Sequence, residues 1–272
     1  LASSAAHVAG RPVVTSESFV SVNLENAALS AQDLYLLSAR AFVAGINRLV
    51  FHGFAYDYPT ADGRRWFPFA PAQDRVSAGP LRITSEFTAE HDIWPELNDF
   101  TLYVSRMGEA LTQGEHMASI AWLMPEREVA DSISLVSGGV AAKSGESDIS
   151  SFIHGQGFDY DRVSPEQLLT SSVMNDALSI GNASYSILLV DGFEAADPAW
   201  LAKILEVQDS GVPVVWIGEL PSRARGYYDH TSRDASVSEL NQQLEQKVIM
   251  TSLSDLGLGL EQTAVEAPLT TL

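Results

Sequence analysis

The sequence contains no cysteine. Disulfides, Cys-ligated zinc, iron–sulfur clusters and thiol nucleophiles are excluded together, including the Cys–His pair of a glutamine amidotransferase. Positive charge is scarce: 16 basic residues stand against 35 acidic ones, for a formal net charge of −19. Such a surface repels phosphate backbones and anionic bilayers, so neither nucleic acid nor membrane is an expected partner. A neutral substrate such as a glycoside is compatible with it. No run approaches the roughly 18 apolar residues that span a bilayer. G-x-S-x-G and H-E-x-x-H are absent, which leaves a hydrolase elbow and a zincin unsupported. Residues 1–9 lack a basic segment before an apolar core, so no signal peptide is read there. A chain that starts at Leu1 is expected to be a fragment, cut at both ends.

What is present suits a folded protein. With 272 residues, 46% of them hydrophobic, the chain can bury a sizeable core in one or two domains. Residues 1–8 read as the tail of a helix closed by Gly10. Pro12, Val13, Val14 and Thr15 form a β-type run, and Glu17 follows between Ser16 and Ser18. An apolar strand ending in an acid is how a βα-barrel presents a carboxylate at its C-terminal face. A second such unit comes next. Ser30 caps a helix over 30–44 with Asp33 in its first turn, Leu34, Leu37, Ala41 and Ala44 share a face, and Gly45 ends it. Residues 46–51 are then a strand that ends in His52.

Residues 53–95 are long, aromatic and rich in turn formers, and loops of that kind are usually functional. An amphipathic helix over 97–112 follows, with Phe100, Tyr103, Met107 and Leu111 on one face. From about residue 114 the pattern changes to short, continuous apolar strands at 117–123, 185–190 and 212–217, and a weaker one at 248–252. A helix over 198–208 lies between the second and third. That alternation predicts a parallel sheet covered on both faces. Residues 138–150 and 222–238 read as surface loops, and Phe158 to Asp161 as a turn into a short strand. The expected architecture is therefore α/β: a partial (β/α)8-barrel over 1–113, then a flavodoxin-like, glutamine-amidotransferase-like open parallel sheet over 114–272.

Successive barrel strand ends lie side by side, so Glu17 and His52 are expected at a shared mouth. The competing readings are a solvated strand-end glutamate and a histidine that bridges loop backbone. Tyr56, Tyr58, Trp66 and Trp94 are candidates for a sugar-stacking wall, or for packing the loop onto the barrel. Asn47 is a candidate to orient sugar hydroxyls with His52. His154 and His230 read as isolated. No metal-ligand motif stands out.

The segment SSAAHVAGRPVVTSESF (residues 3–19) resembles the late-barrel segment of glycoside hydrolase family 106, the α-L-rhamnosidases. DLYLLSARAFVAGINRLVFHGFAYDYP (33–59) resembles their next unit, and residues 94–125 the helix that leaves the barrel with the first strand of an accessory α/β domain. FDYDRVSPEQLL (158–169) and SYSILLVDGF (184–193) continue the likeness. The layout is similar, more distantly, to the family 42 β-galactosidases. The resemblance implies hydrolysis of an O-glycosidic bond in a carbohydrate substrate, with inversion. Glu17 would be one acid/base carboxylate or a ligand of a bound calcium, and the sequence leaves both roles open. Paired carboxylates stand roughly 5 Å apart in retaining enzymes and roughly 6.5–9.5 Å apart in inverting ones; the partner is expected upstream of Leu1. A secreted or periplasmic location is expected. The alternative function is a carbohydrate-binding or scaffold protein without chemistry.

Overall fold

The computed structural model describes residues 2–19, 29–52, 87, 89, 92–124, 133–136, 139–142 and 145–267. Among these residues the architecture is mixed α/β with parallel sheets, and no sheet closes into a barrel. A βα-barrel begins from the same unit that is present here. Helix α1 (Ala2–Val8) leads to strand β1 (Thr15–Ser18), helix α2 (Ala31–Val43) and strand β2 (Arg48–Phe51). The two strands pair in parallel, Glu17 opposite Val50 and Ser18 opposite Phe51.

The local sequence explains the elements of this unit. The Ser30 hydroxyl accepts the Asp33 N–H while the Asp33 carboxylate accepts the Ser30 N–H, a capping box that starts α2. Gly45, at φ +80°, ends it, and a Cβ there would stand 2.6 Å from Cβ of Ser3. The buried stripe of α2 is Leu34, Ser38 and Phe42, one turn apart; of the Leu34–Leu37–Ala41–Ala44 face read from the sequence, Leu34 is buried, while Leu37 and Ala44 are exposed. Helix α3 (Leu97–Leu111) follows a 3-10 turn at Trp94–Glu96 and packs on α2. Together they enclose an aromatic cluster: the Phe19 ring lies 5.1 Å from that of Phe51 and 5.8 Å from that of Phe100.

The rest of the described chain is a five-stranded parallel sheet. Its strands are β3 (Ile120–Leu123), β6 (Tyr160–Val163), β10 (Ile187–Asp191), β12 (Val214–Ile217) and β14 (Ile249–Thr251), in the order β14-β12-β10-β3-β6. β3, β12 and all of β10 but its last residue are almost wholly buried, so both faces must be covered. Side chains alternate between two cores. Ala121, Leu123, Leu188, Val190, Val214 and Trp216 meet the helices α5 (Pro165–Leu169), α6 (Pro198–Asp209) and α7 (His230–Lys247). Ile120, Trp122, Ile187, Leu189, Val215 and Ile217 meet α4 (Gly145–Gly155) and α8 (Leu256–Glu261).

Three smaller strand sets complete the described residues: a hairpin of β4 (Ile133–Val136) and β5 (Gly139–Ala142), a meander of β7 (Ser172–Met174), β8 (Ala177–Ile180) and β9 (Ala183–Tyr185), and a short pair of β11 (Ala195–Ala196) and β13 (Arg223–Ala224). The two segments read as loops are corrected here: 138–150 includes β5 and the start of α4, and most of 222–238 belongs to β13 and α7. The polar composition of α7 hides it, since only Val237 and Leu244 are buried on its 18 residues.

Helix α1 is seated on the large sheet. Val8 joins its core, the Arg162 N–H donates to the Ser4 hydroxyl at 3.0 Å, and the Asn182 N–H donates to the Val8 carbonyl at 2.9 Å. Among the described residues, no helix is long and apolar enough to cross a membrane.

Leu189 is fully buried on the central strand. Leu189→Ala is expected to lower unfolding free energy by about 2–5 kcal/mol, the transfer loss plus the cavity left behind. Urea denaturation of the chain checks this, and a change under 1 kcal/mol would show that the site collapses around the smaller residue.

Candidate active site and histidine cluster

The strand ends of β1 and β2 carry the first group of polar residues. Glu17 lies within β1 rather than beyond it, as the sequence pattern had suggested, because pairing with β2 extends the strand through Ser18. Alternation along the strand turns Ser16 and Ser18 inward and leaves Glu17 outward, its side chain 65% exposed. His52 follows the end of β2, its N–H donating to the Ser18 carbonyl at 2.9 Å. Its Nε2 stands 4.0 Å from Oε1 of Glu17. The two residues are thus brought together at the same end of adjacent parallel strands.

A groove of about 280 Å³ runs along β1, lined by Glu17, Phe19, Leu37, Ser38, Ala41 and others. Phe19 closes the rim with φ at +64°. A non-glycine residue in that region costs about 1–3 kcal/mol and persists only where its surroundings over-determine it. Here the aromatic cluster holds the ring.

Asn47 stands at the other end of β2. Its Oδ1 accepts the Val14 N–H at 2.8 Å, and its Nδ2 donates to the Pro12 carbonyl at 2.7 Å and the Leu111 carbonyl at 3.5 Å. The amide is committed to backbone at the strand entrance, and the structure does not bring it to Glu17 and His52. Tyr56 and Trp66, with Tyr58, lie outside the described residues. Trp94 opens the 3-10 turn and is 42% exposed.

A calcium ion takes about six to eight oxygen ligands. Among the described residues the rim offers one carboxylate beside an imidazole, which does not fit such an ion.

Sequence reasoning missed a second group. His7 on α1, His116 in the segment before β3, and Asp161 on β6 converge, their candidate ligand atoms all within 4.8 Å of one another. His7 Nδ1 is 2.8 Å from Oδ1 of Asp161, and the Tyr185 hydroxyl donates to Oδ2 of Asp161 at 3.1 Å. His154 is not isolated either: its Nε2 lies 3.3 Å from Oδ1 of Asp159. Burial first, and then the adjacent His7, hold the His116 imidazole below its ordinary value; Asp161 and Asp159 oppose this in part. Burial, then Asp161, pushes the Tyr185 hydroxyl far up, so it stays a donor. Positions 7, 116 and 161 have no spacing relation, and only the docking of α1 joins them.

Asp191 ends β10, beside the point where the strand order reverses. Burial raises its carboxyl above 3.8, and a hydrogen bond from the Gly192 N–H offsets part of that.

The family model of glycoside hydrolase family 106, described as alpha-L-rhamnosidase, matches residues 1–271. Among solved structures, the chain is similar to the rhamnosidase from Novosphingobium sp. PP1Y, with a TM-score of 0.69 at 17% identity, over 97% of this chain and 24% of that one. At that identity the likeness speaks for the fold. The chain spans about a quarter of that rhamnosidase's length. No curated protein matches.

The folded state favours the protonated form of Asp191. That contribution is fully present below the ordinary carboxylate value of 3.8 and is lost as pH rises through the elevated one. Asp191→Asn, neutral at every pH, should therefore gain in Tm relative to the parent as pH increases across that window and hold the gain above it. A Tm difference that stays constant from pH 3 to 8 would refute the assignment.

Proposed function

The chain belongs to glycoside hydrolase family 106, the α-L-rhamnosidases, and from that membership we propose that the full-length protein hydrolyses α-L-rhamnosides, with Glu17 as one of two catalytic carboxyl groups. The observation that carries the assignment to this residue is the approach of His52 to Glu17, 4.0 Å apart at the same end of two successive parallel strands. In this reading β1, α2 and β2 are late units of a (β/α)8-barrel whose remaining strands lie outside the described residues. The division falls near residue 113. The sheet beyond it is a flavodoxin-like accessory domain, a reading supported by its strand order: counting from β3, the strands run 2-1-3-4-5.

Glu17 faces outward with Val50 from the bare side of the β1–β2 pair, opposite the aromatic cluster. In a closed barrel that bare face is the interior. An inverting hydrolysis places one carboxylic acid to protonate the leaving oxygen and one carboxylate to take a proton from water on the opposite face of the sugar. The two stand roughly 6.5–9.5 Å apart. Glu17 fills one of these places, and the partner acid comes from outside the described residues. His52 positions the Glu17 carboxylate and reaches a sugar hydroxyl. The bond broken is the anomeric C–O bond, and the water oxygen replaces it. The net negative charge suits a neutral glycoside. A secreted or periplasmic location accompanies this reading.

Glu17→Gln in the full-length protein should lower kcat on an aryl α-L-rhamnoside by roughly 10²–10⁴-fold, the usual worth of a positioned acid or base. His52→Ala should cost less and act mainly on KM. Wild-type turnover by Glu17→Gln would remove the residue from the chemistry. Retained sugar binding without turnover by the parent protein would favour a carbohydrate-binding role instead.

A further inference from the structure

We propose that His7, His116, Asp161 and Asp159 form a binding site for a transition-metal ion of the zinc type, at the seam between α1 and the edge strand β6. The argument begins with spacing. Zinc binds imidazole and carboxylate in tetrahedral array with bonds of about 2.0–2.1 Å, which sets neighbouring ligand atoms about 3.3 Å apart. The contacts here bracket that value. His7 Nδ1 is 2.8 Å from Asp161 Oδ1, His116 Nε2 is 4.0 Å from the same oxygen, and His116 Nε2 is 3.7 Å from Asp159 Oδ2.

The surrounding hydrogen bonds orient the carboxylates as a metal site requires. The other oxygen of Asp161 is held by the Tyr185 hydroxyl at 3.1 Å. The other oxygen of Asp159 accepts the Tyr160 N–H at 2.8 Å and faces His154 Nε2 at 3.3 Å. Each acid therefore keeps one oxygen for the cluster and spends the other on a fixed partner, as in carboxylates that support bound metals. Imidazole with carboxylate selects zinc, cobalt, nickel or copper over calcium and magnesium, which take oxygen alone.

A simple ion pair accounts for His7 and Asp161 but leaves the rest of the cluster without a reason. Asp161 is 2% exposed, and among the described residues no lysine or arginine pairs with it. His116 makes no hydrogen bond among those residues, yet it stacks on His7 with ring centroids 3.8 Å apart and turns Nε2 toward both carboxylates. Two stacked rings at an interplanar angle of 19° hold their nitrogen lone pairs in nearly parallel, separate planes. A shared ion therefore requires one ring to swing, and His116 can do so because it sits at the surface of the seam with no bond to break. The ion would neutralise the two carboxylates and clasp α1 to the sheet. The site lies at the amino-terminal end of β6, and the proposal stands independently of the role given to Glu17.

The test uses the metal alone. The chain is stripped with chelator, dialysed against ZnCl2 or CoCl2, and analysed for bound metal, for Tm and for the visible spectrum of the cobalt form. The parent protein is expected to retain one ion per chain, to melt at higher temperature with zinc, and to show the d–d absorption of tetrahedral cobalt. His116→Ala is expected to match the parent's Tm in chelator, to bind zinc at least tenfold more weakly, and to lose the cobalt bands. Asp159→Asn should weaken binding as well. His230→Ala, a histidine distant in sequence from the cluster, should bind as the parent does. Absence of a stoichiometric ion in the parent, or equal binding by His116→Ala, overturns the proposal.

Discussion

The physical constraint on which this molecule rests is the dryness of its central strands. β3, β12 and all of β10 but its last residue expose almost nothing, and their backbone groups are satisfied by parallel neighbours in register. Parallel neighbours require long crossovers, and crossovers deliver helices to both faces. The two cores then follow from the period-2 alternation of one short apolar run after another. They also fix where polar groups can go: chemistry is displaced to the strand ends and to the seams between elements.

The two candidate sites illustrate those two places. Glu17 and His52 sit at strand ends, on the face of a two-stranded sheet whose other face is closed by aromatic rings. Phe19 links the two roles, because its ring belongs to the cluster while its left-handed backbone bends the rim. Asn47 does the complementary work at the strand entrance, where one amide satisfies backbone groups of Pro12 and Val14, just before β1, and of Leu111 at the end of α3. The His7–His116–Asp161 group sits at a seam. There the burial of Val8 and the hydrogen bonds of Ser4 and Asn182 seat α1, and the docked helix carries His7 to a carboxylate that the sheet has already buried. Residues 2–8 therefore belong by packing to the large sheet, although in sequence they lead into β1.

Sequence patterning located β1, β2, the strands of the large sheet and the helices α1, α2, α3 and α6 because their periodicity is a local property. The capping box at Ser30, the Gly45 turn, the amphipathic helix after residue 97 and the apolar runs near 120, 187 and 214 all announce themselves within a dozen residues. α7 escaped notice because a helix that buries two apolar side chains has almost no periodic signal, and its composition resembles a loop. Asn47 drew attention as a polar residue near a strand, but which backbone groups its amide meets depends on the pairing with β1 and the placement of α3.

The sequence by itself determined the absence of thiol chemistry, the acidic surface, the α/β alternation and the likeness to the rhamnosidase family, since each is carried by residue types or by contiguous motifs. Only the tertiary structure decided which side chains meet. Glu17 meets His52 through strand pairing, and His7 meets Asp161, 154 positions away, through the docking of one short helix. Contacts of that kind are made by burial acting on whole surfaces, and no spacing along the chain records them.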